Sequence, residues 1–384
     1  MKIIPYEDSF FDPLVQFLKK NWAVQHAIYD KSLFNWQYRI EEEEVTDSFL
    51  VLKEEKIIGF LGNIPSFYDV DGTVQKGAGL TMWVIDEEYR NSGLGILLLK
   101  ETEKKKQVTF TLGCNLNVVP MYKRMGYSYS ENLNRYVLPL NSNKYKLLLQ
   151  EQVNTEEIDQ WVNEILENIS AEKTQTPNRE IRAEDLEALY KRSIIGEFRF
   201  SQHRNASFWD WRYKNSNGYK YLYFGNEFQG VAVIRVDRAY SPNDPEIHGT
   251  KILRIIELIP ANKEVWSGFI DPDFIKIIGG ILNWARDMGC VAADFQISTN
   301  RLEHLLLKVG FRKQNYDYTP ALNGLAGLFQ PFRYKVNPIN FTWKVRNELG
   351  ETLNFDINDT YFVKSDCDMD RPNIWPLPSE WSEE

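Results

Sequence analysis

The sequence predicts an α+β fold with two tandem domains, each a mixed, mostly antiparallel sheet flanked by helices. The chain has 384 residues, more than a single hydrophobic core usually supports, so two domains are expected. Short apolar runs bounded by turns alternate with helical patterns up to about residue 140, as in a mixed sheet. Similar landmarks then recur in the same order, which indicates an internal duplication.

Composition and charge argue against several classes of protein. Hydrophobic residues make up 43% of the chain and aromatic residues 14%, as in a globular protein. The net charge of -9 argues against a nucleic-acid partner, which would need a basic surface. Cys114, Cys290 and Cys367 are too few and too far apart for a disulfide framework or a metal site, so a cytoplasmic location is expected. The sequence shows no export signal and no apolar run long enough to span a membrane.

The elements of the first unit follow from local patterns. Apolar runs predict an opening strand and a hairpin, a proline in a first turn predicts a helix, and an Asp-Gly pair predicts a further turn. In chain order, these are residues 2–5, the helix from Asp12-Pro13, the hairpin of 49–52 with 57–62, and the turn at Asp71-Gly72.

The stretch from Gly77 to Gly126 carries the chemistry. A buried strand over 80–85 leads into Arg90-x-x-Gly93-x-Gly95, and a helix over 96–104 follows. The first turn of a helix offers unpaired N–H groups and partial positive charge, so an anion can bind there. Glycines allow close approach of phosphate oxygens, and an arginine adds a fixed charge. A plain strand-to-helix turn is the structural alternative.

The residues after this helix strengthen the functional interpretation. A strand over 108–112 is followed by Asn115, then Tyr122-x-x-x-Gly126-Tyr127. The two motifs, in this order and spacing, resemble the GCN5-related N-acetyltransferase (GNAT) superfamily over about residues 1–140. The resemblance implies two GNAT-like domains and an acyl-CoA co-substrate, acetyl-CoA in the simplest case.

The resemblance also implies site residues. Tyr122 would serve the departing thiolate as the catalytic acid, and no residue is expected to bind a metal. No carboxylate lies on the strand over 77–85, so the general base is unassigned. The residues expected to bind acyl-CoA are Trp83, Val84, Ile85, Arg90, Asn91, Ser92, Gly93, Leu94, Gly95 and Asn115.

The sequence patterns divide the chain into four segments. A first domain over 1–140 is followed by a helical connector over 141–177, a degenerate second GNAT-like domain over 178–346 and a tail over 347–384. Residues 180–182 resemble the opening strand, 209–214 echo 34–39, and 307–311 echo 123–127. The second copy contains a strand over 252–259 and a helix over 274–288, and a closing strand is expected beyond it, over 337–346. This copy lacks the Arg-x-x-Gly-x-Gly loop and has Leu306 at the tyrosine position, so it is expected to be non-catalytic.

Several polar and aromatic residues allow two interpretations. The aspartates at 366, 368 and 370 suggest calcium, but the EF-hand pattern fails, and a solvated acidic loop or a pair with Arg371 is favoured. Similar tails occur on tandem members of the superfamily associated with polysaccharide biosynthesis. His26 is a candidate base but more simply a surface histidine. Trp36 and Trp211 could stack on a sugar, although core packing is favoured.

The sequence therefore predicts an enzyme, an acyltransferase that moves an acetyl or acyl group from acyl-CoA to an amine or hydroxyl of a small molecule or sugar. Two alternatives remain open: an aminoacyl transferase resembling the Fem enzymes, and a non-catalytic module that binds a glycan or protein. The acceptor, the acyl length and the oligomeric state cannot be read from the sequence.

Overall fold

The computed structural model describes residues 1–40, 47–149, 155–170, 172–218, 220–314, 338–371, 375–376, 378 and 381. These residues form two mixed sheets with helices packed against them. The strands are β1 Lys2–Pro5, β2 Phe49–Lys53, β3 Lys56–Val70, β4 Thr73–Ile85, β5 Val108–Leu112, β6 Ser128–Ser130, β7 Asn134–Pro139, β8 Phe200–Gln202, β9 Leu222–Asn226, β10 Gly230–Arg238, β11 Lys251–Pro260, β12 Cys290–Ile297, β13 Arg312–Lys313, β14 Phe341–Arg346, β15 Thr352–Leu353 and β16 Thr360–Tyr361. The helices are α1 Phe11–Asn21, α2 Lys31–Tyr38, α3 Leu94–Lys105, α4 Val119–Arg124, α5 Ser142–Leu147, α6 Thr155–Ser170, α7 Ala183–Ser193, α8 Ala206–Trp209, α9 Pro272–Asp287 and α10 Glu303–Val309.

The first sheet has the order β1-β2-β3-β4-β5-β14-β15, with β6 beside β14, β8 beside β3, and β16 beside β8. Its long β3–β4 hairpin turns at Asp71-Gly72, where both residues have positive φ. The β4–β5 pair is parallel because α3 connects these strands, whereas β1 to β4 pair antiparallel.

The second sheet has the order β13-β7-β12-β11-β10-β9. The parallel pair is again formed by two strands joined through a helix, here β11 and β12 through α9. A hairpin, a helix, a parallel strand and a further helix therefore recur in both halves. The α4 and α10 helices are each followed by a glycine of positive φ, Gly126 (82°) and Gly310 (112°). The predicted α+β fold, with two halves that each contain a mixed sheet flanked by helices, is confirmed.

The two halves exchange strands. β14 lies between β5 and β6 in the first sheet, with Phe341 opposite Leu112. In return, β7 lies between β12 and β13 in the second sheet, with Tyr136 opposite Phe295. The closing strand expected over 337–346 begins at Phe341 in the structure and completes the first sheet. Asn337 lies outside the described residues. The division of the chain at 140 stays a prediction. β7 precedes that position but pairs in the second sheet, and β14 follows it but pairs in the first.

Two other expectations from the sequence have different outcomes. The helical connector contains α5 and α6, and α6 packs on the second unit, where the Trp161 indole N–H donates to the Gly310 carbonyl at 2.8 Å. Residues 180–182 do not form the expected opening strand and lead directly into α7. Without an equivalent of β1, the second unit does not repeat the first completely.

The strand exchange predicts that the first half cannot fold alone. A fragment of residues 1–177 would leave β5 and β6 without β14, and would leave β7 without a sheet. Unpaired strand edges and an exposed core oppose folding. We expect the fragment to show no cooperative thermal transition by circular dichroism, whereas the full chain shows one. Recovery of a transition on co-expression with residues 178–384 is the positive control, and a cooperative melt of the fragment alone would contradict the prediction.

Candidate active site

The first sheet opens between two neighbouring parallel strands. β4 and β5 pair only from Gly77 opposite Val108 to Gly79 opposite Phe110, although β4 continues to Ile85. A shift of register near Gly62 places two β4 residues opposite one β3 residue, and such a bulge bends a strand. The edge of β4 beyond Gly79 is therefore separated from β5, and its backbone faces an opening in the sheet.

The predicted anion loop lies at the end of this separated strand. β4 is followed by a short 3-10 turn, Glu87–Tyr89, and then by α3, whose N-cap is Gly93. Gly93 has φ +83°, a left-handed conformation that a side chain disfavours. The first hydrogen bond of the helix runs from the Leu97 N–H to the Gly93 carbonyl at 3.1 Å. The N–H groups of residues 94–96 therefore have no carbonyl acceptor within the helix. The loop has the geometry of an anion site.

Gly95 has a different role from Gly93. A Cβ on Gly95 would lie 3.1 Å from the Trp83 Nε1, whereas a Cβ on Gly93 would meet nothing within 4 Å. Gly95 therefore makes room for the Trp83 indole. The indole N–H is buried and has no hydrogen-bond partner in the described part of the chain. From the sequence, both glycines were expected to let phosphate oxygens approach the backbone.

The other loop residues hold the turn or face solvent. The Ser92 hydroxyl donates to the Tyr89 carbonyl at 2.6 Å, and Asn91 has φ +68°. The Arg90 side chain is 51% exposed, and its contact with Glu87 is long, at 3.9 Å. Arg90 can therefore reorient toward a ligand at α3.

Tyr122 lies in α4, next to the residues at the end of β4. It is 2% exposed, and its ring centroid is 5.4 Å from that of Trp83 and 4.8 Å from that of Tyr127. Burial raises the pKa of Tyr122 well above its ordinary value, so the hydroxyl stays protonated near neutral pH. Asn115 lies apart from this cluster: it is exposed and accepts from the Asn117 N–H at 2.9 Å, which caps a 3-10 turn.

The equivalent helix of the second half cannot offer the same anion site. The N-cap of α9 is Asp271, whose carboxylate accepts from the Asp273 and Phe274 N–H groups at 2.9 and 3.3 Å. This carboxylate already occupies the helix terminus and would repel an anion. Leu306, at the position equivalent to Tyr122, is fully buried in the core.

The tail residues 363–371 lie in the opening between β4 and β5, a feature that sequence reasoning missed. The Cys367 thiol contacts the Leu80 carbonyl at 3.7 Å, and a Cβ on Gly79 would lie 3.3 Å from the Cys367 sulfur. A Cβ on Gly113, just beyond β5, would meet Met369. The missing side chains of Gly79 and Gly113 are the local signal that another segment packs there.

The aspartates of the tail are held by ion pairs. Arg204 pairs with Asp366 at 2.7 Å, and all these side-chain atoms are inaccessible to solvent. Arg235 pairs with Asp370 at 2.8 Å. The expectation of a solvated acidic loop was therefore wrong for these two residues, whereas Asp368 does pair with Arg371, at 2.7 Å. Among the described residues, no group of three or more His, Cys, Asp or Glu side chains is placed to hold a metal ion.

His26 does not fit the role of a general base. Its Nδ1 accepts from the Ile28 N–H at 3.2 Å, which assigns the proton of the neutral ring to Nε2. Burial, and secondarily the charge of Arg371, lower the pKa of His26 to about 3. The ring therefore stays neutral at neutral pH and cannot readily accept a proton.

Trp36 and Trp211 pack against each other. The indole N–H of Trp36 donates to the Trp211 carbonyl at 3.0 Å, and the Trp211 N–H donates to the Trp36 carbonyl at 2.8 Å. The ring centroids are 5.8 Å apart. Each ring therefore packs against the other, as the favoured interpretation expects, and Trp36 is half-buried.

Known proteins share both the loop sequence and the fold. The profile of the acetyltransferase (GNAT) family matches residues 11–127, which include the opening, the loop and Tyr122. Residues 11–127 of this chain match the GNAT family. Three predictions are thereby confirmed: the resemblance to this family, an acyl-CoA-dependent acyltransferase, and an acyl-CoA co-substrate. No curated protein matches the sequence significantly.

Solved structures resemble this chain over most of its length. A GCN5-related N-acetyltransferase from Anabaena variabilis is 12% identical with a TM-score of 0.51, covering 90% of this chain and 72% of that one. A probable N-acyltransferase from Enterococcus faecalis is 11% identical with a TM-score of 0.53, with the same coverages of 90% and 72%. N-myristoyltransferase from Saccharomyces cerevisiae is 13% identical with a TM-score of 0.53, covering 94% and 83%. At these identities the likeness establishes the fold. None of the described helices is long and apolar enough to cross a membrane.

The difference between Gly93 and Asp271 gives a test of the anion loop. Gly93→Asp would place a carboxylate at the α3 terminus, as Asp271 does at α9, and should weaken CoA binding by at least about tenfold through self-capping and repulsion. Gly93→Asn is the matched control, because it has the same shape and backbone strain without the charge. Isothermal calorimetry with CoA measures both. Equal affinity of the two variants would show that no anion binds at this helix terminus.

Proposed function

We propose that the chain transfers an acetyl or acyl group from acyl-CoA to an amine or hydroxyl of a small molecule or sugar, and that it acts in the cytoplasm. A sugar used in polysaccharide biosynthesis belongs to this class of acceptor. The observation that carries the proposal is the uncapped N-terminus of α3 at the end of the separated β4 strand, with Tyr122 beside it. Family membership favours this activity over an aminoacyl transferase, which would need a different donor.

Different residues of the chain would bind the pyrophosphate and the pantetheine of acyl-CoA. Arg90, Asn91, Ser92, Gly93, Leu94 and Gly95 would hold the pyrophosphate through a guanidinium and helix N–H groups. Backbone groups of Trp83, Val84 and Ile85 would bind the pantetheine amides and orient the thioester carbonyl. Asn115 would act by shaping the turn before α4, since its side chain caps that turn.

Tyr122 would supply the proton in this scheme. Its raised pKa keeps the hydroxyl protonated, which suits a hydrogen-bond donor or acid toward a departing thiolate. The acceptor must also lose a proton. His26 is unsuited to receive it, so a water molecule or another group of the chain would do so.

The role of Tyr122 is tested by removing its hydroxyl. Tyr122→Phe should keep the fold and the CoA affinity while lowering turnover by about 10²-fold, as for loss of a positioned acid. Turnover is measured as release of the CoA thiol from acetyl-CoA with a panel of amines and amino sugars. Tyr127→Phe is the matched control, because Tyr127 is equally buried and its hydroxyl pairs with Thr109 at 2.8 Å. Unchanged turnover in Tyr122→Phe would reduce this residue to a packing role.

The proposal also predicts one CoA per chain. The α3 terminus is open, whereas Asp271 closes the α9 terminus. Calorimetric titration should therefore saturate at a single equivalent, and Gly93→Asp should reduce that binding. Saturation at two equivalents would contradict the assignment, and an absence of CoA binding by the wild-type chain would contradict the proposed function as a whole.

A further inference from the structure

A polar cleft lies between the two halves, away from the anion loop. It has a volume of about 740 Å³, within the range of small-molecule sites, and it lies between α2 and the segment formed by α8 and a π-helical turn, Asp210–Lys214. Neither the anion loop nor Tyr122 contributes to it. The acyl-transfer scheme leaves the cleft without a role.

The walls of the cleft come from corresponding positions of the two halves. Ser32 and Ser207 both line the cleft, as do Asn35 and Asp210, and each pair has the spacing that relates Trp36 to Trp211 in the sequence echo. The reciprocal indole-to-carbonyl hydrogen bonds of the two tryptophans fix these walls relative to each other. The cleft is therefore a rigid feature of the junction and does not depend on the conformation of a single loop.

The described residues of the lining favour a hydroxyl-rich ligand. Serine hydroxyls and asparagine amides dominate it and offer both donors and acceptors. Among the described residues of the lining, Arg39 and Asp210 are the charged members. The Asn35 Oδ1 is buried and has no partner in the described part of the chain. A buried acceptor of this kind costs free energy unless a donor reaches it.

We infer that this cleft binds a polyhydroxylated ligand of sugar class. Ligand hydroxyls would bridge the serine and asparagine groups of the two walls. The Arg212 side chain would separate the ligand from the tail. Its guanidinium lies 5.1 Å from the Trp36 ring and donates to the Cys367 carbonyl at 3.1 Å. The inference concerns binding and stands apart from acyl transfer.

The test is calorimetry on the full-length chain with glucose, N-acetylglucosamine and maltose as probes. We expect saturable binding of at least one probe. Ser207→Trp should weaken it by at least about tenfold, because the indole would fill the cleft from an exposed position on its wall. Ser9→Trp makes the same change at an exposed serine outside the cleft and should leave the affinity unchanged.

A second variant and a separate measurement keep the outcomes distinct. Asn215→Trp enters the cleft at another exposed position and should have the same effect if Ser207→Trp fails to fold. CoA affinity, measured in the same variants, should not change, so failure of sugar binding and failure of acyl-CoA binding are read independently. Absence of saturable binding by all three probes would overturn the inference, as would an affinity unchanged in both tryptophan variants.

Discussion

The buried ion pairs between the second half and the tail control how the two sheets meet. Arg204 and Arg235 belong to the second half, and their partners Asp366 and Asp370 flank the segment that enters the opening of the first sheet. Removing a charged pair from water is costly, so such pairs form only where the geometry is well satisfied. Here each carboxylate has a further donor: the Val363 N–H for Asp366 at 2.7 Å, and the Tyr221 hydroxyl for Asp370 at 2.6 Å. The shape of the opening beside β4 therefore depends on residues far along the chain.

Local features of the fold were accessible from the sequence because they depend on near neighbours. β5 has the predicted bounds, Val108–Leu112, and α3 begins at Leu94, between the two glycines of the loop and two residues before the predicted start at 96. Strand alternation and helix-opening chemistry are read within a few residues. The same local reasoning identified the loop that the family match includes.

Long-range features were not accessible in this way. The apolar pattern of β14 suits either sheet, and nothing near Phe341 indicates that it pairs with Leu112. The aspartates of the tail resemble a solvated loop because Arg204 and Arg235, which neutralise them, are more than a hundred residues away in sequence. Within the candidate site, the separate roles of Gly93 and Gly95 appear only when the position of the Trp83 ring is known.

The exchange of β7 and β14 has a consequence for how the chain is made. A ribosome releases the N-terminal half first, but the edge of β5 has no partner until residues up to Arg346 have left the exit tunnel. Contacts of such wide sequence separation slow folding, and incomplete sheets are exposed to aggregation while they wait. Nascent chains of this protein should therefore depend on chaperones for most of their synthesis, and the acyl-CoA loop should reach its final geometry only after translation ends.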